Sequence, residues 1–167
     1  MAERQGSVAV YQKGALALIA PVATLKVNPD EQGIWSSAQY VVIEGDCRLV
    51  RLRETMEAGR ALRTVLLESP LLPLEEAPPG YDPEFNAMLA RRLGLRADRS
   101  PYAGMRSCDV DRRLDEVRLR PMRKLHGGGF EGFTGVWEKG HEDVHVRWSD
   151  TDEALGLALQ ECLARCL

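Results

Sequence analysis

The sequence predicts an α+β fold: a single domain with a mainly antiparallel sheet packed by amphipathic helices. Three observations carry this reading. Short runs such as VHVRW (144–148) alternate apolar and polar residues with a period of two, the mark of a half-buried strand. Longer runs place apolar residues at i, i+3, i+4 and i+7, the stripe of a surface helix. The runs MRSCDV (105–110) and EVRLRPM (116–122) flank the short segment DRRLD, which makes them a hairpin and their pairing antiparallel. A length of 167 residues suits one domain, large enough to bury a core without disulfides or metals.

The elements follow in chain order. SVAVY (7–11) is the first strand, and ALALIAPVATL (15–25) continues the apolar character until Pro21 interrupts it. VNPDEQG (27–33) gathers turn formers and is a loop. YVVIE (40–44) is a β-branched run, and CRLVRL (47–52) extends it or pairs with it across Gly45 and Asp46. A helix is expected near 54–68, with Met56, Ala58, Ala61, Leu62, Val65 and Leu66 on its apolar stripe and glutamates early, where they suit the positive N-terminal dipole. Residues 70–83 hold five prolines, so a long loop without regular structure is expected. A second helix near 83–94 opens on Asp82 as cap and Pro83 at the first helical position. In the later hairpin Val117 and Leu119 face inward, and Glu116, Arg118 and Arg120 form a wet, basic face. HGGGFEGFTG (126–135) lacks the flanking strand and helix of a dinucleotide fingerprint and the Lys-Ser/Thr of a P-loop. It is expected to be a loop anchored by Phe130 and Phe133. The third helix is expected near 150–165, capped by Ser149 or Asp150, with Leu155, Ala158, Leu159, Cys162, Leu163 and Cys166 on one face. A shift of 97 residues places Leu49 on Val146, Gly59 on Gly156, Ala61 on Ala158, Leu62 on Leu159 and Leu66 on Leu163, which suggests an internal strand-helix pseudo-repeat.

Composition bounds the function classes. Apolar residues make up 44% and charged residues 28%, ordinary values for a globular protein. No run approaches the roughly 20 apolar residues of a membrane-spanning helix, and residues 15–25 are better read as strand than as a signal peptide. Cys47, Cys108, Cys162 and Cys166 form no C-x-x-C pair and fit reduced, cytoplasmic thiols. The net charge of −3 conceals a segregation: residues 91–124 sum to +6, leaving −9 for the rest. Such segregation points to a charged partner.

Candidate chemistry is sparse. His141, Glu142 and His145 spell H-E-x-x-H, yet two imidazoles at that spacing reach one zinc ion only on a helix, and the surrounding alternation is that of a strand. No metal and no cofactor are expected. Cys162 and Cys166 lie on an apolar stripe and read as core. Cys108 beside Asp109, with His126 as a distant base, lacks any local catalytic signature, so no catalytic residue is assigned. The Arg-rich segment 91–124 leaves a small nucleic-acid-binding regulator as an alternative function, weighed against the acidic whole chain and an aromatic content of 6%.

The C-terminal half resembles the immunity proteins of bacterial contact-dependent growth inhibition systems. The resemblance lies in the order of its motifs: Ser107, Cys108 and Val110; a strand ending at Pro121; FEGFTG; Asp143 to Val146; SDTDEALGLAL; and Arg165 with Cys166. It covers about 103–166 with a fainter echo in 40–69, while residues 1–35 stand outside it. It implies a cytoplasmic, non-enzymatic protein whose partner is the C-terminal toxin domain of a delivered effector, commonly a nuclease, with neither nucleic acid nor membrane as direct partner. Carboxylates suit such an inhibitor because they can occupy a phosphate-binding groove. The candidate toxin-binding residues are therefore Glu75, Glu76, Asp82 and Glu84 in the acidic stretch, and Glu142 and Asp143 before the last strand.

Overall fold

A computed structural model describes residues 5–22, 24–26, 36–37, 47–69, 71–73, 83–94, 104–124, 130–132 and 139–166. Strands β1 (Gln5–Lys13) and β2 (Leu16–Val22) form a hairpin, followed by β3 (Thr24–Lys26), β4 (Ser36–Ser37) and β5 (Arg48–Arg51). Helix α1 (Thr55–Glu68), β6 (Leu71–Pro73) and α2 (Pro83–Arg92) come next. The chain then forms β7 (Arg106–Arg113), β8 (Glu116–Lys124), β9 (Phe130–Gly132), β10 (Val144–Arg147) and α3 (Asp152–Ala164).

The main sheet has the order β10-β8-β7-β1-β2-β5, every pair antiparallel, with β9 pairing with the far end of β8. Period-two alternation divides its side chains. On one face Val8, Val10, Ala17, Ile19, Cys108, Val110, Val117, Leu119 and Val144 pack against Leu62, Val65 and Leu66 of α1 and Leu155, Leu159, Cys162 and Leu163 of α3. On the other, Leu18 and Ala20 of β2 meet Met88 and Leu89 of α2 and Leu93 just beyond it, with Met105 and Cys47. A small sheet, β4-β3-β6, contains the one parallel pairing among the described strands, Thr24–Lys26 with Leu71–Pro73.

The two halves of the main sheet repeat one another. Outward from the β1–β7 pair, each half is a hairpin, then an edge strand, then a helix: β1-β2-β5-α1 and β7-β8-β10-α3. The helices cross at Gly59 and Gly156 so closely that their contacts are reciprocal. A Cβ on Gly59 would lie 1.7 Å from the Asp152 carbonyl oxygen, and one on Gly156 would lie 1.9 Å from that of Thr55. Thr55 and Asp152 are themselves related by the 97-residue shift, so the sequence echo is a local two-fold relation between helices. In the strands the echo slips by one residue. Val50, partly buried against the helix-side core, occupies the place equivalent to Val146, whereas Leu49 faces the other way and is 39% exposed.

Arg63 of α1 ties this crossing to the end of β10. Its Nε donates to Asp152 Oδ1 at 2.8 Å, and its two terminal nitrogens donate to the carbonyls of Trp148 and Asp150 at 2.6 Å each. The Trp148 ring lies under two guanidiniums, Arg63 at 4.6 Å and Arg112 at 3.7 Å from its centroid.

Several expectations need correction. Met56, expected on the stripe of α1, is 54% exposed instead. Pro21, which breaks the apolar run of the sequence, still lies within β2 opposite Val8, and β5 reaches only Leu16–Ile19, so no described strand on the far side requires its missing N–H. The proline-rich stretch is not wholly irregular, because Leu71–Pro73 forms β6 before residues outside the described set. The glycine-rich stretch likewise contains β9, and Phe130 packs on the second core with its ring 6.3 Å from that of Tyr11; Phe133 lies outside the described residues. The cap of α3 is Thr151, whose hydroxyl accepts from the Ala154 N–H at 3.1 Å, rather than Ser149 or Asp150. YVVIE and the loop 27–33 lie outside the described residues.

All four cysteines are buried and free. Cys166 donates to the Ser107 carbonyl at 3.1 Å, and burial pushes its thiol up from 9.0 to about 11. A hydrogen bond with Cys162, then burial, holds the Cys108 thiol well above 9.0. The folded state thus keeps protons that the unfolded chain releases.

Two outcomes follow from this core. Gly156→Ala destabilises the protein by at least about 2 kcal/mol, since the clash is with backbone rather than a movable side-chain end; a urea-denaturation change of only a few tenths of a kcal/mol would contradict the close crossing. The thiols' contribution to stability is level below about pH 9, where both states hold these protons, and falls as pH rises through about 9 to 11. Denaturation at stepped pH checks this, and the fall is shallower in Cys166→Ala; an equally steep fall would place its cause elsewhere.

Candidate interaction surface

Strand β10 is an edge of the main sheet, and the charged residues on it and beside it are set by register. Its pairing with β8 aligns His145 with Arg118 and Arg147 with Glu116. The face of β7, β8 and β10 turned away from α1 and α3 is therefore polar, as the alternation of β8 foretold. The basic face is neutralised by acids from neighbouring strands. Arg118 meets Asp111 at 3.2 Å and Asp143 at 3.8 Å, and Arg120 meets Asp143 at 3.9 Å. Ser7 on β1 donates to Asp111 at 2.7 Å, which extends the network across three strands and the segment before β10.

Before β10 the chain turns at Gly140, whose φ of +86° suits glycine. The Gly140 N–H donates to Glu142 Oε2 at 3.0 Å, and the amides of Glu142 itself and of Gly140 hold that exposed carboxyl below its ordinary range. Arg165, at the end of α3, clamps this segment. One terminal nitrogen donates to the carbonyls of Glu142 at 2.8 Å and Asp143 at 3.4 Å, and the other to Glu161 at 2.6 Å. His141 contacts the Arg165 carbonyl through Nδ1.

At the other end of β10 lies an open cleft of about 710 Å³, lined by Asp115, Glu116, His145, Val146, Arg147 and Asp150. Asp115, in the β7–β8 turn, anchors the chain after β10: its carbonyl accepts from the Trp148 N–H at 2.7 Å, and its carboxylate from the Ser149 N–H at 2.9 Å and hydroxyl at 3.2 Å. Asp150 accepts from the Arg147 N–H at 2.9 Å. Glu116 and His145 face each other at 3.0 Å across the strand pair.

The structure sorts the sequence candidates. Glu142 is outward, with its carboxylate turned back onto its own loop. Asp143 is shared between two arginines. Glu84 lies in α2, and Glu75, Glu76 and Asp82 lie outside the described residues. His141 and His145 do not share a strand, since β10 begins at Val144, and they turn to different partners. Among the described residues no group of three or more His, Cys, Asp or Glu is placed to hold a metal ion, and no helix is long and apolar enough to cross a membrane. Four of the described members of the Arg-rich segment divide between locations: Arg106 donates to the Leu163 carbonyl, Arg112 stacks on Trp148, and Arg118 and Arg120 lie on the polar face. The cleft itself went unnoticed in the sequence. Its one legible sign was the hairpin 105–122, whose register puts Leu114 and Asp115 at the tip.

Comparison with known proteins fits this architecture. No curated protein matches the sequence. The fold resembles that of a Neisseria meningitidis protein of unknown function, at 16% identity and a TM-score of 0.72, covering 99% of this chain and 97% of that one. It also resembles a chain from a CdiA-CT/CdiI toxin and immunity complex of Yersinia pseudotuberculosis, at 17% identity and a TM-score of 0.73, covering 98% of both chains. Residues 44–166 match the family model CdiI, CDI immunity protein, and the chain therefore belongs to the CDI immunity protein family.

Proposed function

We propose that the protein neutralises the toxin domain of an effector delivered by contact-dependent inhibition, acting by tight stoichiometric binding within the cytoplasm of the producing cell and not by catalysis. The observation that carries this reading is the family match, which spans β5 through α3 and so includes both edge strands of the main sheet. The toxin is proposed to be a nuclease. Support comes from charge: the chain outside residues 91–124 sums to −9, and a phosphate-binding groove presents basic groups that carboxylates complement. Glu142, with Glu75, Glu76, Asp82 and Glu84 of the acidic stretch, is proposed to meet the toxin directly. Asp143 contributes by keeping Arg118 and Arg120 ordered. The alternative of a nucleic-acid-binding regulator gains nothing from the dispersal of Arg106, Arg112, Arg118 and Arg120 or from the aspartates paired with the last two.

The test is to identify a large effector in the reading frames adjoining this chain's and to co-express its C-terminal domain with this chain. Co-purification in equal amounts and rescue of growth are expected. Reversing Glu142 together with Glu75, Glu76, Asp82 and Glu84 to lysine weakens binding by about tenfold or more, with most of the loss in association rate at low salt. Unchanged binding and protection in that variant would remove these carboxylates from the interface.

A further inference from the structure

The β7–β8 turn is built in a way its fold does not require. It joins Arg113 to Glu116 through two residues, Leu114 and Asp115. Leu114 has φ +57°, the one positive φ among the described non-glycine residues. Glycine, asparagine or aspartate takes that conformation at least cost, and a branched apolar side chain at high cost. Leu114 is also 55% exposed, so its side chain gains little from the core. The turn sits beside the cleft of about 710 Å³, whose lining sets the carboxylates of Asp115, Glu116 and Asp150 against one guanidinium, Arg147, and the His145 ring. The walls are fixed in advance: Asp115 holds Trp148 and Ser149, and Arg63 and Arg112 clasp the Trp148 ring.

We propose that this cleft is a docking point for the toxin: it receives a basic side chain, and Leu114 packs on apolar toxin surface next to that side chain. The proposal rests on the immunity reading and adds a location to it, distinct from Glu142 at the opposite end of β10. Charge complementarity selects a cationic group, because three carboxylates face one guanidinium. The exposed leucine supplies the apolar contact that commonly carries an interface whose rim is polar. Prior anchoring of the walls spares the ordering that binding otherwise demands.

Leu114→Gly separates a binding role from a structural one. Glycine relieves the positive φ, so the variant melts no lower than the parent, yet it binds the toxin domain at least about tenfold more weakly. Glu116→Lys, at a side chain 65% exposed whose described partner is His145, weakens binding to a similar degree, and its deficit shrinks as salt rises. Titration calorimetry on the full chain with the C-terminal domain of the effector identified by that search reads both. If the parent binds and the two variants bind equally well, the cleft is not the docking point and the immunity reading stands. If the parent itself neither binds nor protects, both proposals fall.

Discussion

Two helices can approach this closely only where neither carries a side chain at the point of contact, and the crossing of α1 over α3 at Gly59 and Gly156 meets that condition from both sides. Backbone fills the space a methyl group would occupy. Because α1 follows edge strand β5 and α3 follows edge strand β10, this one contact joins the ends of the sheet across its helix-covered face. The wide apolar face of β1, β2, β7 and β8 is sealed as a consequence. Leu62, Val65 and Leu66 from one helix and Leu155, Leu159 and Leu163 from the other all descend into the same buried cluster. Arg63 then transmits the helix position to the β10–α3 connection through three hydrogen bonds.

That rigidity bears on recognition. An inhibitor that must hold a toxin tightly loses affinity if its surface has to be ordered on contact. Here the segments flanking β10 are held by neighbouring elements: Arg165 clamps residues 142 and 143, and Asp115 clamps residues 148 and 149. The polar sheet face is laced by ion pairs at 3.2 to 3.9 Å between partly exposed groups, pairs of the kind that contribute little to stability but fix the orientation of long side chains.

Much of the fold was legible in the sequence, and for a physical reason. Helices at 55–68, 83–92 and 152–164 declare themselves by stripes several turns long, and the β7–β8 hairpin by the alternation of its second strand. The pseudo-repeat relating the two helices was visible too, as the G-x-A-L echo, though not that its glycines are where the helices cross. Three-residue strands such as β6 and β9 escape, because no period can be read from three residues and their existence depends on a distant partner. The candidate site was legible only as charge. That Asp143 is shared by Arg118 and Arg120 depends on the register between β8 and β10. The cleft's wall depends on the bond from Ser149 to Asp115, 34 residues away in the chain. Leu114 looked like an ordinary turn residue until its backbone conformation and exposure were known together.

The central claim is that this scaffold presents a ready-made surface along β10 to a toxin. Amide hydrogen exchange with and without the C-terminal toxin domain of the cognate effector tests it most directly. The account predicts slowed exchange at residues 114–116 and 140–150 on complex formation, with α1, α3 and the central strands unchanged. Protection confined to the outer faces of α1 and α3, with residues 114–116 and 140–150 exchanging as in the free protein, would contradict it.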